Sequence, residues 1–208
     1  MKTVSALLVS ILLSAPLTLY GQSLYGSGIS PEKALVRVIF TNPNSDLIID
    51  IGSEGFAASL WEEGALYHQV PPGMYFIECG DEFLEIILRS GIYYSLIIAD
   101  NRCHLFEDLE HNSPAKTQVY YYNLLKGEKA TLYVEETGDH LFTAVPPGES
   151  VQRAVNPLKK DFCLTTENGI FLELGQLPMN RGGSTSVITY MDGNNPVSLV
   201  LQAAIKES

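Results

Sequence analysis

Side chains that could act as nucleophiles or bases are scattered along this 208-residue sequence rather than gathered into a motif. The four histidines, His68, His104, His111 and His140, lie beside turns or between two strand-rich halves, and we expect each at a solvated edge. The glycine- and serine-rich segment 182–186 lacks the Gly-x-Ser-x-Gly elbow that presents a nucleophile. We therefore predict no catalytic residue and a protein that is not an enzyme.

Metal and cofactor sites also lack a recognisable pattern. His104 and His111 follow Cys103, with Glu107 between them, but neither a Cys-x-x-Cys pair nor a His-Glu-x-x-His helix is present. The sequence therefore predicts no metal site and no cofactor.

The N-terminus has the parts of a secretory signal: a positive Lys2, an apolar run over 4–13, and a small residue, Gly21, at the predicted cleavage point. The run is shorter than the roughly 20 apolar residues that span a bilayer. We predict export and a cleaved leader at 1–21, with an uncleaved membrane anchor as the alternative. The formal charge of −11, one unit more negative without the leader, excludes a nucleic-acid surface.

Three cysteines follow the leader: Cys79, Cys103 and Cys163. An exported protein meets an oxidising compartment, in which a disulfide between Cys79 and Cys103 is possible. Cys163 would then be unpaired, and its place between Phe162 and Leu164 predicts a small buried side chain.

Short alternating or β-branched runs, separated by turn residues, predict strands. These runs are 35–40, 47–51, 74–79, 83–88 and 92–99. The one segment with helical character is Leu105–His111, which we expect to be a linker turn. The pattern predicts an all-β fold.

The same order of features then recurs. Residues 36–42 are echoed by 117–123, the Val-Pro-Pro-Gly turn at 70–73 returns at 145–148, and 94–98 matches 185–189. This repeat predicts two tandem small antiparallel β-sandwich domains, 22–112 and 113–208, after the signal peptide at 1–21.

The register of the first strand assigns faces to its echo. With Val36, Val38 and Phe40 inward, the alternation of strand side chains turns Tyr120 and Tyr122 outward in the second copy. Two such tyrosines form an aromatic strip that can stack on sugars, anchor a partner, or pack between the domains.

The single tryptophan, Trp61, lies in a Leu-Trp-Glu-Glu segment. It is either a core filler or a contact at the rim of a binding surface. Tyr120, Tyr122 and Trp61 are therefore the candidate binding residues for a protein partner or a sugar.

Several short motifs follow one another in an order known from one protein family. They are Leu24-Tyr25-Gly26, Ala34–Val38, Pro71–Tyr75, Tyr93–Leu96, Arg153 with Asn156-Pro157, and Arg181-Gly182-Gly183. In this order the sequence resembles the AlgF family of alginate O-acetylation proteins.

The resemblance implies a periplasmic accessory protein without an active site, required for O-acetylation of alginate or a related exopolysaccharide. The implied partners are a membrane O-acyltransferase and periplasmic acetyltransferases. The acidic surface disfavours a broad groove for a polyuronate, because like charges repel within a Debye length of about 8 Å. Two alternatives stay open: a carbohydrate-binding module that stacks sugars on Tyr120, Tyr122 or Trp61, and an acetyl carrier or esterase with an unrecognised nucleophile.

Overall fold

The computed structural model describes residues 30–42, 47–57, 66–79 and 82–205, and within them every regular element is a strand. The strands are β1 Ala34–Phe40, β2 Ile48–Ile51, β3 Glu54–Ala57, β4 Leu66–Val70, β5 Gly73–Cys79, β6 Glu82–Leu88, β7 Tyr93–Ala99, β8 Arg102–Asp108, β9 Thr117–Asn123, β10 Ala130–Val134, β11 His140–Val145, β12 Glu149–Val155, β13 Asp161–Thr166, β14 Phe171–Gln176, β15 Ser184–Asp192 and β16 Asn195–Ile205. The all-β fold class is confirmed. The predicted leader at 1–21 and Trp61 lie outside the described residues.

The five strand-like runs of the first half coincide with β1, β2, β5, β6 and β7 to within one residue at each end. The helical interpretation of Leu105–His111 is wrong, because most of this segment belongs to β8. Asp100 and Asn101 both have positive φ, 51° and 56°, which makes a tight turn and lays β8 antiparallel against β7. A hairpin turn therefore overrides the weak local helical pattern.

The two halves of the chain have the same strand topology. Eight strands lie in each, and the fourth, first, seventh and eighth strands form one sheet, as β4-β1-β7-β8 and as β12-β9-β15-β16. In both sheets the first and seventh strands pair in parallel, and the other pairs within the sheet are antiparallel. The sequence echoes therefore join equivalent strands: β1 corresponds to β9, and β7 corresponds to β15.

The two Val-Pro-Pro-Gly turns, in contrast, do not correspond. The turn at 70–73 joins the fourth strand of its half to the fifth, whereas the turn at 145–148 joins the third to the fourth. Proline and glycine favour tight turns wherever these occur, so the shared motif reports local turn chemistry and not an equivalent position.

The second sheet of each half covers the first and encloses a core. In the second half it has the order β11-β10-β13-β14, and in the first half the equivalent strands form two hairpins, β2-β3 and β5-β6, with β2 beside β5. The structure joins Cys79 on β5 to Cys103 on β8, with Cα atoms 6.0 Å apart, so the disulfide links the two layers of the first sandwich.

A third core lies between the halves. The end of β16 pairs with the start of β4, which merges the two four-stranded sheets into one of eight strands. This sheet folds back so that Ile39 and Ile97 of the first half pack against Tyr120 and Ile188 of the second. The predicted domain boundary between residues 112 and 113 lies in the connection between β8 and β9. Among the described residues no helix of membrane-spanning length and apolarity occurs.

Candidate functional site

The most highly organised polar cluster of the described residues centres on Arg37, in the middle of β1. Its neighbours Val36 and Val38 point into the core of the first sandwich, so alternation turns Arg37 to the other face of the sheet. That face is covered by the second half of the chain, and Arg37 has 0% of its surface exposed. A fully buried guanidinium requires partners for its charge and its donors.

Arg37 finds these partners on both halves. Its Nε donates to Ser95 Oγ at 2.7 Å, on the neighbouring strand β7. Its Nη2 donates to Tyr122 Oη on β9 and to Ser186 Oγ on β15, both at 2.9 Å. One side chain of the first half is thus hydrogen-bonded to two strands of the second.

Asp108, at the end of β8, supplies the countercharge. Its Oδ2 lies 3.6 Å from Arg37 Nη2 and accepts hydrogen bonds from Ser95 Oγ and, at 2.6 Å, from Tyr67 Oη. Its Oδ1 accepts from Tyr122 Oη at 2.5 Å. The carboxylate is therefore satisfied by hydroxyls from three strands. We call Arg37, Tyr67, Ser95, Asp108, Tyr122 and Ser186 the Arg37 centre.

Aromatic rings complete the enclosure of the guanidinium. The Arg37 Cζ atom lies 4.7 Å from the ring centroid of Tyr67 and 5.5 Å from that of Tyr120, distances at which ring quadrupoles attract a cation. The Nη1 atom is buried and has no hydrogen-bond partner among the described residues. The rings therefore supply part of the stabilisation that water would otherwise give.

The pKa shifts of Arg37, Tyr67 and Tyr122 favour a single protonation state of the Arg37 centre at neutral pH. Burial lowers the pKa of Arg37, but the charges that Tyr67, Tyr122 and Asp108 can carry raise it, and the net shift is upward. Burial, and then the charge of Asp108, raises the pKa of Tyr122 above its ordinary range. Burial also raises the pKa of Tyr67. At neutral pH the arginine is a cation and both tyrosines are neutral donors.

The chemistry open to this centre is structural. Ser95 bonded to Asp108 has the residue types of a nucleophile and its orienting acid, but Ser95 is completely buried and Asp108 nearly so. A nucleophile must reach the substrate atom that it attacks, and this hydroxyl is covered on every side. The centre instead binds the two halves of the chain to each other.

Tyr120 and Tyr122, the predicted aromatic strip, stack 6.5 Å apart at 17° and are buried between the halves. Tyr120 Oη donates to the Leu109 carbonyl oxygen at 2.7 Å, next to the end of β8. Of the three roles open to the strip, the structure gives it packing between the domains. The prediction that these two rings stack on sugars or anchor a partner is wrong, because both rings are buried against the first half of the chain.

The expectation that the histidines lie at solvated edges is wrong for two of them. His68 is buried edge-on against Phe56, with its Nδ1 3.5 Å from Glu54 Oε2. His111 is also buried, and one ring nitrogen contacts the Lys116 carbonyl oxygen at 3.0 Å. These contacts join residues that are distant in the sequence or across a connection, which a position beside a turn does not reveal.

Cys163 is a free, buried thiol, as its apolar neighbours predict. Burial, with the nearby carboxylates of Glu135 and Glu173, raises the pKa of this thiol and disfavours the thiolate. Within the described ranges, no three His, Cys, Asp or Glu side chains are grouped as they would be to hold a metal ion.

Most of the large hydrophobic side chains that are exposed among the described residues lie on the first sandwich. They follow the outward side of β2, β5 and β6, and we call this surface the β5–β6 face. Its apolar members are Ile48, Met74, Phe76, Phe83 and Ile87. The sequence pattern predicts these strands but not this face, although residues 83–88 carry apolar side chains on both sides of the strand, which indicates that the outward side is not wholly polar.

The Arg37 centre was also missed from the sequence. Arg37 interrupts an otherwise apolar strand, and the alternation that places Val36 and Val38 in the core turns Arg37 to the opposite face. The available signal was the echo: the equivalent outward side of β9 carries Tyr120 and Tyr122, so both copies have an unusual outward face. A cation on one and tyrosines on the other are complementary.

Comparison with known families places the chain. The family described as "Alginate O-acetyl transferase AlgF" matches residues 9–186. The chain belongs to the AlgF family. The resemblance noted from the short motifs is thereby confirmed, and with it an association with alginate O-acetylation. The chain is 25% identical over 161 residues to the alginate biosynthesis protein AlgF of Pseudomonas aeruginosa PAO1. The aligned region covers 77% of this chain and 74% of that protein.

Two solved structures have partial similarity. One is the C-terminal domain of AlgF from P. aeruginosa, with 22% identity and a TM-score of 0.38 over 42% of this chain and 98% of that domain. The other is a putative cell adhesion protein from Bacteroides fragilis, with 10% identity and a TM-score of 0.22 over 66% of this chain and 58% of that protein.

Proposed function

We propose that this AlgF-family protein is a periplasmic, non-catalytic adaptor required for O-acetylation of alginate or a related exopolysaccharide. Its partners in this proposal are a membrane O-acyltransferase and periplasmic acetyltransferases. The observation that carries the adaptor role is the Arg37 centre, because the protein's most organised polar chemistry connects its two halves.

An adaptor must hold its binding faces at a fixed distance. Arg37 is hydrogen-bonded to Tyr122 and Ser186 of the other half, and the apolar core around Ile39 adjoins it. Separating the halves would break the hydrogen bonds from Arg37 to Tyr122 and Ser186 and would expose the apolar core around Ile39 to water. This coupling supports one rigid body rather than two domains on a hinge.

The burial of Ser95 supports the non-catalytic part of the proposal. An acetyl carrier or esterase needs an acceptor hydroxyl or thiol that a donor can reach. Ser95 lies inside the Arg37 centre, and the free thiol of Cys163 is buried with a raised pKa. Both groups are placed for packing and not for acyl transfer.

Capture experiments test the adaptor role directly. Tagged full-length protein in its exporting host is expected to retain a periplasmic acetyltransferase of the alginate machinery, and deletion of the gene is expected to lower polymer acetylation. Capture of no acetylation protein, together with unchanged acetylation in the deletion strain, would refute the proposal. Hydrolysis of a generic acetyl ester, abolished by one substitution, would favour an enzyme instead.

A buried variant tests the rigid joint separately. Arg37→Met leaves every surface residue in place but removes the cation that connects the halves, so we expect reduced acetylation in a complemented deletion strain at equal protein level. Tyr121→Phe is the matched control, because it removes a buried hydroxyl bonded to Thr189 inside the second sandwich alone. Equal acetylation with both variants would show that the joint is not needed.

A further inference from the structure

We propose that the β5–β6 face is a docking surface for a protein segment in which apolar side chains alternate with lysine or arginine. This inference rests on the proposed adaptor function and names the chemistry of the partner. It starts from where the exposed apolar side chains of the described residues are concentrated.

Eight large hydrophobic side chains are exposed among the described residues, and five of them lie on this one face. Phe83 is 73% exposed, Phe76 65% and Ile87 62%. Aromatic residues and methionine are the types enriched at protein interfaces, and contiguous exposed apolar patches mark interaction sites. The face thus has the composition of a binding surface.

The four side chains on β5 and β6 form a continuous strip. Met74 and Ile87 are direct cross-strand partners, and Phe76 lies diagonally between Ile87 and Phe83. Ile48 is exposed on the outward side of β2, which runs beside β5. A partner segment can therefore bury the four side chains of β5 and β6 in one contact.

The charged residues on the same face indicate which kind of partner it can bind. Asp50, Glu78 and Glu85 are the exposed charged residues on the outward side of these strands, within the part of the chain that the structure describes. Glu85 is the cross-strand partner of Phe76, and Glu78 that of Phe83, so acids and aromatic rings alternate. A second copy would oppose acid to acid, and an anionic membrane would be repelled, whereas a basic and apolar segment is complementary.

The equivalent face of the second sandwich lacks this surface. Strand β14 occupies the place of β6 and carries Phe171 and Glu173 at the same spacing as Phe83 and Glu85. Its neighbour β13, however, presents the buried Cys163 and the half-buried Thr165. The apolar strip is thus a property of the first half and not of the repeat.

This correspondence supplies a matched pair of variants. Phe83→Ser/Glu85→Lys alters the β5–β6 face, and Phe171→Ser/Glu173→Lys makes the same changes at the equivalent place in the second sandwich. All four side chains are outward and exposed, so both variants are expected to fold, which thermal unfolding would check. Two labelled short peptides serve as probes, one alternating leucine with lysine and one alternating leucine with glutamate.

We expect the leucine–lysine peptide to bind the wild type, and the face variant to bind at least about tenfold more weakly, as for loss of an aromatic anchor and a complementary charge. The control variant should bind within about twofold of wild type, and added salt should weaken binding. Equal binding by both variants, or equal binding of both peptides, would overturn the proposal. So would phosphatidylglycerol vesicle binding or self-association that the face variant abolishes.

Capture of the acetyltransferase partner by the same variants separates this inference from the adaptor proposal. Loss of capture by the face variant alone supports both. Capture by wild type and both variants refutes the docking face and leaves the adaptor role standing. If even the wild type captures no acetylation protein, the adaptor role fails and the peptide measurement alone decides the inference.

Discussion

Arg37 and Asp108 form an ion pair in the interior, 3.6 Å apart, and two hydroxyls bridge them: that of Ser95 in the same half of the chain and that of Tyr122 in the other half. Both charged residues lie on the first half, at β1 and at the end of β8. The hydrogen bonds of this pair are therefore complete only when Tyr122 and Ser186 of the second half pack against it. Folding of the two halves is coupled through this contact.

Removal of the cation should be costly. Arg37→Met leaves Asp108 as a buried charge without its counterion, and we expect a loss of about 3–5 kcal/mol in the free energy of unfolding. Urea denaturation monitored by tyrosine fluorescence would measure it. Arg37→Met/Asp108→Leu removes both charges and should recover a large part of the loss. An Arg37→Met variant within about 1 kcal/mol of wild type would contradict the coupling between the two halves.

The two stacked tyrosines should differ when their hydroxyls are removed. Tyr122 Oη contacts Arg37, Asp108 and Ser95, so Tyr122→Phe leaves charged partners short of hydrogen bonds and should cost about 2–3 kcal/mol. Tyr120 Oη makes one bond, to the Leu109 carbonyl, and Tyr120→Phe should cost about 1 kcal/mol. The same denaturation assay ranks them, and equal losses would argue against Tyr122 as a bridge.

The residues explain why the strands could be predicted from the sequence and the joint could not. Alternation along β1 sends Val36 and Val38 inward and Arg37 outward, and the structure agrees. What covers the outward face depends on how the eight-stranded sheet folds back, which brings Tyr122 to Arg37 across 85 residues of sequence. Periodicity within a strand carries no information about such distant contacts.

The similarity between the two Val-Pro-Pro-Gly turns does not identify equivalent positions in the two halves. The Val-Pro-Pro-Gly turns at 70–73 and 145–148 are the most similar segments of the two halves, yet they join different pairs of strands. The weaker match of 94–98 to 185–189 identifies equivalent strands, β7 and β15. Strand sequences are constrained by both neighbours and both faces, so a faint strand echo is better evidence of duplication than a strong turn echo.

The number of reactive thiols in the denatured protein should reveal the disulfide. With Cys79 and Cys103 joined and Cys163 free, the denatured protein should show one reactive thiol without reductant and three with it. In the native state Cys163 should react slowly because it is buried. Three thiols without reductant would contradict the bridge.

The same bridge should stabilise the first sandwich. It closes a loop of 24 residues, for which the chain-entropy relation gives a stabilisation of about 3.5 kcal/mol. Cys79→Ala/Cys103→Ala should therefore lower the free energy of unfolding by roughly this amount, measured by urea denaturation. Cys163→Ala, which breaks no bridge, is the control for removal of a buried sulfur.

Alkaline pH should unfold the protein through its buried tyrosines. Burial raises the pKa of Tyr67, Tyr121 and Tyr122 above the value of about 10 of the unfolded chain. Above pH ~10 the unfolded state therefore binds fewer protons than the folded state, and stability falls as the pH rises. Each such tyrosine contributes a slope of about −1.4 kcal/mol per pH unit, with its full contribution to stability present below pH ~10.

Tyr121→Phe isolates one of these contributions. Its hydroxyl contacts Thr189 and lies outside the Arg37 centre, so its removal leaves the joint between the halves intact. Urea denaturation at several pH values above 10 should give a slope for this variant that is shallower than wild type by about 1.4 kcal/mol per pH unit. Ultraviolet absorbance of tyrosinate should meanwhile show these rings ionising only as the protein unfolds. An unchanged slope, or early ionisation of Tyr121 in the folded protein, would mean that water reaches this ring from the core side of β9.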